Sequence, residues 1–248
     1  MSKKSPRLRT VNKSVPPYPL NQFSSVFPFN VGEQLIYILA TRGETDIEGK
    51  EWEQIFAKSI QADWKPSNVG LDDIVSGNTA WGAKSVKSKS PTRLKKVRLI
   101  SGRNDLGYSF DFVATPGVLP NETGEMVLEI YNERVSKIRE KYKNLRTVVL
   151  VRSDDLTEAI IFEIDTIRYE PELYYWEWHK KNLWGYEKAT KMKKFTWQSG
   201  GTQFTITENI PKDHLLIKVH KPEIIKKEIV LNEIGFDKSW ITVTHKNG

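Results

Sequence analysis

The sequence predicts one α/β domain with a mixed central β-sheet flanked by helices. Three stretches support this prediction: an amphipathic segment at residues 123–142, an apolar segment immediately after it at 145–152, and a β-like hairpin at 71–87. The amphipathic segment keeps its apolar residues on one stripe, as a core-facing helix does. The apolar segment is typical of a strand that is buried on both faces, which requires helices on both sides of the sheet.

The remaining elements are predicted in order along the chain. Residues 1–20 are rich in Lys, Arg, Ser and Pro and are expected to form a flexible basic arm, either a disordered tail or an arm that contacts DNA. Apolar spacing then predicts helices over 31–39 and 47–60. Residues 21–248 are expected to form a single domain. Further strands are expected at residues 97–100, at 159–167 and in the short segments QFTIT and WITVT.

Composition excludes several kinds of site. The chain has no cysteine, which rules out disulfides, zinc-thiolate sites and a Cys nucleophile, and its four histidines do not have metal-ligand spacing. Walker, G-x-G-x-x-G and G-x-S-x-G motifs are missing, so neither a nucleotide cofactor nor a serine hydrolase is expected. Without a membrane-length apolar run or a signal-peptide pattern, a soluble cytoplasmic protein that does not bind membranes is expected.

Charge favours a polyanionic partner. The chain has 38 Lys and Arg residues against 31 Asp and Glu, a formal net charge of +7. Positive charge concentrates in the N-terminal arm, at 84–103 and at 188–194, whereas acid concentrates at 44–53 and 122–133. Clustered carboxylates in a protein that binds a polyanion are typical of a metal-dependent reaction at a phosphate group.

The segment LDDIVSGNTAWGAKSVK carries the candidate active site. Asp72 and Asp73 precede a Ser-Gly-Asn turn, and Lys84 follows it on a second predicted strand. Upstream, GKEWEQIF places Glu53 beside the apolar face of its predicted helix. Carboxylates can hold Mg²⁺, and a neighbouring lysine can stabilise the negative charge that builds up on a phosphate under attack.

This arrangement resembles the PD-(D/E)xK nuclease core, in which one strand ends in an Asp and the next carries an acidic-x-Lys triplet. The resemblance implies a restriction-endonuclease-like core in which Asp73 and Glu53 bind Mg²⁺. Lys84 would orient the attacking water and stabilise the phosphorane. Asp72 and Lys87 would support these three residues from a second layer of contacts.

The chain departs from that pattern at one position. Gly82 stands where an acid is expected, and a triplet read three residues later has Ser85 there instead. Glu53 is therefore the expected source of the second carboxylate. Gly82 is also the main argument for an alternative, a non-catalytic DNA- or RNA-binding protein on a nuclease-like fold.

Downstream segments extend the resemblance. VRLISGRNDLGYSFDF, TVVLVRS and KFTWQSGGTQFTI are similar to segments of type II restriction endonucleases of the same superfamily. The resemblance implies a Mg-dependent, sequence-specific endonuclease for double-stranded DNA, of the kind found in restriction-modification systems. Cutting both strands of a palindrome calls for a symmetric partner, so a homodimer is expected. A repair or nicking nuclease of the superfamily is a further alternative.

Two polar stretches are candidate DNA-binding elements. In SGRND, Arg103 can pair with guanine and Asn104 with adenine in the major groove, although an ordinary turn whose backbone is set by Asn and Gly is the favoured explanation. In KMKKFTWQSGGTQF, lysines would contact phosphates, glutamines would read base edges and the Ser-Gly-Gly loop would approach the duplex. A plain hairpin without a role in binding explains this stretch equally well. The candidates in this second stretch are Lys194, Gln198, Ser199 and Gln203. The aromatic run YYWEWHKKNLWGY is expected to be core or interface rather than a platform for unpaired bases.

Overall fold

The computed structural model describes residues 16–43, 45–65 and 70–244. Within these ranges the helices are α1 (Phe27–Arg42), α2 (Gly49–Ser59), α3 (Leu106–Phe110), α4 (Pro120–Lys141) and α5 (Lys227–Glu233). The strands are β1 (Asp63–Trp64), β2 (Ile74–Ser76), β3 (Thr79–Lys87), β4 (Lys96–Arg103), β5 (Asn144–Arg152), β6 (Glu158–Asp165), β7 (Tyr174–His179), β8 (Asn182–Glu187), β9 (Lys193–Gln198), β10 (Gln203–Asn209) and β11 (Leu215–Lys218). No helix of the described part is long and apolar enough to cross a membrane.

The first sheet is mixed, as the sequence predicts. Its strand order is β1-β2-β3-β5-β6-β11. The first three strands form an antiparallel meander, and β5 pairs parallel with β3 along its whole length. Parallel neighbours need a crossover connection, and α4 lies on the crossover between these two. Every residue of β5 after Asn144 is buried, as expected for a strand covered on both faces.

The second sheet is antiparallel, with strand order β4-β10-β9-β8-β7. The aromatic run of the sequence forms the hairpin of β7 and β8, where side chains alternate between the two faces. Tyr174 and Trp176 are buried, whereas Tyr175 is half-buried and Glu177 is exposed. The run therefore contributes to the core through one face only.

Helix α4 lies between the two sheets. Its residues Val127, Leu128 and Tyr131 pack in one core with Val75 and Ala80 of the first sheet. The second sheet contributes Trp176, Phe195, Trp197 and Phe204 to the same core. Helices α1 and α2 cover the opposite face of the first sheet, where the largest buried side chains are Phe27, Trp52, Phe56 and Trp81. The order of layers is thus α1 with α2, the first sheet, and then α4 with the second sheet.

The chain before α1 is docked from residue 18 onward. Tyr18 donates a hydrogen bond to Glu163 Oε1 at 2.9 Å, and the Asn21 side chain bonds the backbone of Glu163. Glu163 is fully buried and pairs with Arg146 at 3.1 Å. A buried carboxylate needs such partners, so this contact holds the segment in place. The predicted arm over residues 1–20 is therefore wrong for its last residues, while residues 1–15 lie outside the described ranges.

Two further expectations change in detail. Residues 71–73 are not part of a strand but form a loop that leads into β2. The segment WITVT, residues 240–244, is not a strand either, because no neighbouring strand pairs with it and Trp240, Ile241 and Val243 remain exposed. Alternation of apolar residues alone does not make a strand without a partner.

Candidate active site

Lys84 lies in the middle of β3, half-buried, and its Nζ donates to the carbonyl oxygen of Gly70 at 3.4 Å. Burial lowers the pKa of Lys84 below its ordinary value, while the nearby carboxylates of Asp73 and Glu53 raise it and the Arg134 guanidinium lowers it further. The two carboxylates act on the lysine because they lie near it. Asp73 and Glu53 are thus near enough to Lys84 to act on its charge, and Glu53 and Lys84 line the same cleft.

Position 82 is tightly packed against the backbone of a neighbouring loop. A Cβ atom on Gly82 would lie 3.1 Å from the carbonyl oxygen of Gly70 and 3.1 Å from the Cα atom of Leu71. The loop that begins at Gly70 crosses β3 at this point, and Leu71 is held by burial in the core beside α4. The acid of the nuclease pattern is thus missing for a steric reason, because backbone occupies the space that it would need.

Asp73 is buried, with 5% of its surface exposed, at the last loop residue before β2. Its carbonyl oxygen accepts a hydrogen bond of 2.7 Å from the backbone nitrogen of Lys65, which fixes the end of the loop against β1. The next residue, Ile74, pairs with Trp81 in β3, so Asp73 lies one register step beyond that pair, across from Gly82. Its neighbour Asp72 is half-buried in the same loop.

Glu53 reaches the site from α2 on the other side of the first sheet. Trp52 and Phe56 anchor this helix in the core, and Glu53 is half-buried beside them. Trp64 Nε1 donates to Glu53 Oε2 at 3.1 Å. A tryptophan side chain therefore orients one carboxylate oxygen.

A cleft of about 420 Å³ opens beside Lys84 between α2, β3 and β4. Its charged lining residues are Glu53, Lys84, Lys87, Arg98 and Arg152. Four cations and one carboxylate make the cleft suited to a phosphate chain. Lys87 lies at the exposed end of β3, where its Nζ is 3.7 Å from Asp154, so it contacts the cleft rather than the Asp73 carboxylate.

Arg98 and Arg152 are cleft residues that the sequence analysis missed. Arg98 alternates with the buried residues Val97 and Leu99 on β4, so its exposure could be read from the strand pattern. Arg152 ends β5, directly opposite Lys87. It pairs with Asp46 and donates to the carbonyl oxygen of Thr45, which sequence spacing gives no means to foresee.

A second, smaller cavity of about 20 Å³ lies behind Lys84. Thr147, Thr166, Asp165 and Tyr131 are among its lining residues. A cavity of this size with several polar groups on its wall can hold one water molecule. Lys84 therefore lines both the cleft and this smaller cavity, each of which is large enough to hold water.

The carboxylates of the site suit a hard divalent cation. Among the described residues, no group of three or more His, Cys, Asp or Glu side chains is placed to hold a metal ion. Magnesium often binds through only one or two carboxylates and completes its shell with water and substrate phosphate. Asp73 and Glu53 supply that minimal set, so the residues fit a Mg²⁺ ion whose binding depends on a phosphate ligand.

The candidate DNA-binding residues divide into two groups. Asn104 is fully buried: its side-chain amide donates to the carbonyl oxygen of Val127 at 2.7 Å and accepts from Arg134 at 2.6 Å. The expectation that Asn104 pairs with a base is therefore wrong, because its amide holds the end of β4 against α4. Lys194 is likewise engaged, with its Nζ 2.8 Å from Glu208 Oε1.

The other candidates lie at one end of the second sheet. Arg103 is exposed, and Gln198 and Gln203 are half-exposed and directly opposite each other in the β9–β10 pair. Ser199 donates its hydroxyl hydrogen bond to the carbonyl oxygen of Lys181 at 2.9 Å, which ties the β9–β10 turn to the β7–β8 turn. The sequence thus identified a polar sheet end, whose geometry depends on strand register.

Three comparisons with known proteins gave no match: no family model, no curated protein and no solved structure is similar to this chain.

Proposed function

We propose that this chain is a Mg²⁺-dependent endonuclease for double-stranded DNA, of the type II restriction class. One observation carries the proposal: a lysine of lowered pKa lies beside two carboxylates at the side of a cleft lined with cations. Perturbed lysines in such a cleft are typical of catalytic sites. Along the chain Asp73 precedes Lys84, as in the PD-(D/E)xK pattern, but Asp73 lies in the loop before β2, opposite Gly82, rather than at the end of a strand.

Each residue has a defined task in the proposed hydrolysis. A bound Mg²⁺ would polarise the phosphate and lower the pKa of water. Asp73 and Glu53 would hold that ion. The amine of Lys84 would accept a hydrogen bond and then the proton from the attacking water, because burial favours its neutral form. As the water oxygen bonds to phosphorus, one ester P–O bond breaks, and the leaving alkoxide oxygen takes a proton from solvent water. The lysine ammonium stabilises the negative charge on the phosphate oxygens.

The cations of the cleft account for the substrate class. Lys87 and Arg98 lie along the same wall as Lys84 and would neutralise successive phosphates of a DNA backbone, whereas Arg152 is buried and paired with Asp46. A protein that makes several such contacts loses affinity steeply as salt concentration rises. Cutting both strands with a single site of this kind requires two copies of the chain, so a homodimer belongs to the proposal.

The test is incubation of the purified protein with unmethylated phage and plasmid DNA, in Mg²⁺ and in EDTA. We expect discrete fragments in Mg²⁺ and intact DNA in EDTA. Intact DNA in both conditions, with enzyme concentrations above those needed for a gel shift, contradicts the proposal.

A second candidate function follows from Gly82. Because the loop at Gly70 leaves no space for an acid at position 82, the site has two carboxylates rather than three. If two carboxylates are too few to hold a metal ion, the protein binds DNA but does not cleave it. Retardation of DNA that is identical in Mg²⁺ and EDTA, with no cleavage in either, would identify that function.

A further inference from the structure

The second sheet exposes a row of polar side chains that crosses four strands. Gln203 of β10 lies directly opposite Arg103 of β4 and Gln198 of β9, and Gln198 lies opposite Asn182 of β8. Residues paired in this way share one face of a sheet, with Cβ atoms about 5 Å apart. We name Arg103, Gln203, Gln198 and Asn182 the polar row.

The polar row faces away from the core. Phe204 and Trp197, the sequence neighbours of the two glutamines, are buried against α4. Side chains alternate along a strand, so Gln203 and Gln198 lie on the opposite, outer face. None of the four members of the row is buried. Arg103 is exposed, and the other three are half-exposed.

Positive charge surrounds the row. Lys180 and Lys181 are exposed in the β7–β8 turn beside Asn182. Burial lowers the pKa of Lys193 on the outer face, and the charge of Arg98 lowers it further. Glu177 is an acid on this face, and its Oε2 is 3.5 Å from His179 Nε2. The excess of cations makes the surface complementary to a polyanion.

The aromatic side chains of this face stack on neighbouring side chains. His179 stacks on Trp184 with centroids 3.7 Å apart, and Lys193 Nζ lies 3.9 Å from the centroid of the Trp184 ring. Both cannot occupy the same side of the ring at these distances, so the two faces of Trp184 are covered. Tyr175 and Tyr186 stack on each other in turn, at 5.2 Å. The surface therefore does not suit the stacking of unpaired bases, and a base-paired duplex is the form of nucleic acid that it fits.

We propose that the polar row reads base edges in the major groove of duplex DNA, an inference that rests on the proposed function. Neighbouring strands lie about 4.8 Å apart, so the whole row spans about 14 Å. The major groove is about 12 Å wide and admits a two-stranded ribbon. The β9–β10 ribbon therefore enters the groove, where Gln198 and Gln203 each offer an amide that pairs with adenine, while Arg103 and Asn182 contact the two rims.

The reading surface is continuous with the cleft through β4. Arg98 belongs both to the cleft lining and to the outer face of the second sheet. It lies five residues before Arg103, a distance of about 17 Å along a strand. A duplex bound at the polar row can thus extend to Lys84, with the cut placed a few base pairs from the bases that are read.

The test is selection of duplexes with a randomised centre by the full-length protein in EDTA, followed by sequencing of the bound fraction. Gln198→Ala and Gln203→Ala are compared with wild type and with Gln34→Ala, which removes a half-exposed glutamine from α1 in the opposite layer. We expect wild type and Gln34→Ala to select the same motif. Each row variant should lose about 5- to 150-fold of the preference for one base pair of that motif, with affinity for the unselected pool unchanged.

The outcomes separate this inference from the proposed function. Selection in EDTA involves no cleavage, so a wild-type motif that changes in the row variants supports the polar row even if no DNA is cut. Cleavage at discrete sites with a motif that is the same in wild type and both row variants overturns the polar row and leaves the nuclease intact. Absence of any selected motif in wild type also overturns it. Thermal unfolding of each variant shows that it is folded.

Discussion

The replacement of Gly82 by alanine tests the packing that defines the site. The added Cβ atom would lie 3.1 Å from two backbone atoms, the Gly70 oxygen and the Leu71 Cα, so the loop must move by a few tenths of an ångström. Overpacking of this kind costs about 1–3 kcal/mol. Removing a glycine from the interior of a strand returns about 0.5–1 kcal/mol. The free energy of unfolding should therefore fall by about 1 kcal/mol, and by up to about 2.5 kcal/mol if the loop cannot yield.

The assay is thermal unfolding of Gly82→Ala, with Gly32→Ala as the matched control. For a chain of this size the melting temperature should fall by about 2–4 °C per kcal/mol. Gly32 lies inside α1, where a Cβ atom would make ordinary contacts of 3.8 Å with Ile217 and Val219, so Gly32→Ala should gain up to about 1 kcal/mol. Cleavage by Gly82→Ala should drop several-fold because the loop that carries Asp73 moves relative to Lys84, whereas Gly32→Ala should cleave normally.

One result would refute this reasoning. If Gly82→Ala is as stable as Gly32→Ala, the loop does not lie over position 82, and the steric explanation for the missing acid fails. Gly82→Asp extends the test, because it completes the nuclease pattern in sequence. We expect it to lose stability and activity, and a gain of metal affinity or cleavage in that variant would show that an acid fits there after all.

Three further predictions concern charge. Lys84→Met should retain the fold and abolish cleavage. Because the folded state lowers the pKa of Lys84, the stability of wild type should increase as pH rises from that folded pKa toward the ordinary lysine value. Denaturant unfolding at several pH values should show no such increase in the variant. Glu163→Gln leaves the Arg146 charge buried without its partner and should lose about 3–5 kcal/mol of stability, measured by urea titration. Arg98→Ala should weaken DNA binding to all sequences alike and reduce the salt slope by about one unit in a filter-binding series, and an unchanged slope would place Arg98 outside the interface.

Asp73 and Lys84 could be assigned together because the short hairpin of β2 and β3 joins them. Glu53 is assigned through the resemblance, and its approach to Lys84 depends on the packing of α2 against β3. The reason for Gly82 could not be predicted. It depends on where the loop at Gly70 crosses the sheet, which is a matter of tertiary packing.

The DNA-binding candidates show the same limit. Arg103 and Asn104 are adjacent in a polar turn, yet one is exposed and the other is fully buried because α4 supplies partners for the Asn104 amide. Sequence alone does not show which residues of a polar turn are buried and which are exposed. The pairing of Gln203 with Arg103 likewise depends on register between strands that are distant in sequence, since β4 and β10 are separated by α3, α4 and five strands.

The central claim is that Lys84 acts in phosphodiester hydrolysis. The most direct measurement is single-turnover cleavage of plasmid DNA in Mg²⁺ by wild type, by Lys84→Ala and by Lys58→Ala, which removes an exposed lysine from α2. The account predicts that Lys58→Ala cleaves like wild type, whereas Lys84→Ala binds the same DNA but cleaves it at least about 100-fold more slowly. Cleavage by Lys84→Ala at the wild-type rate would contradict it.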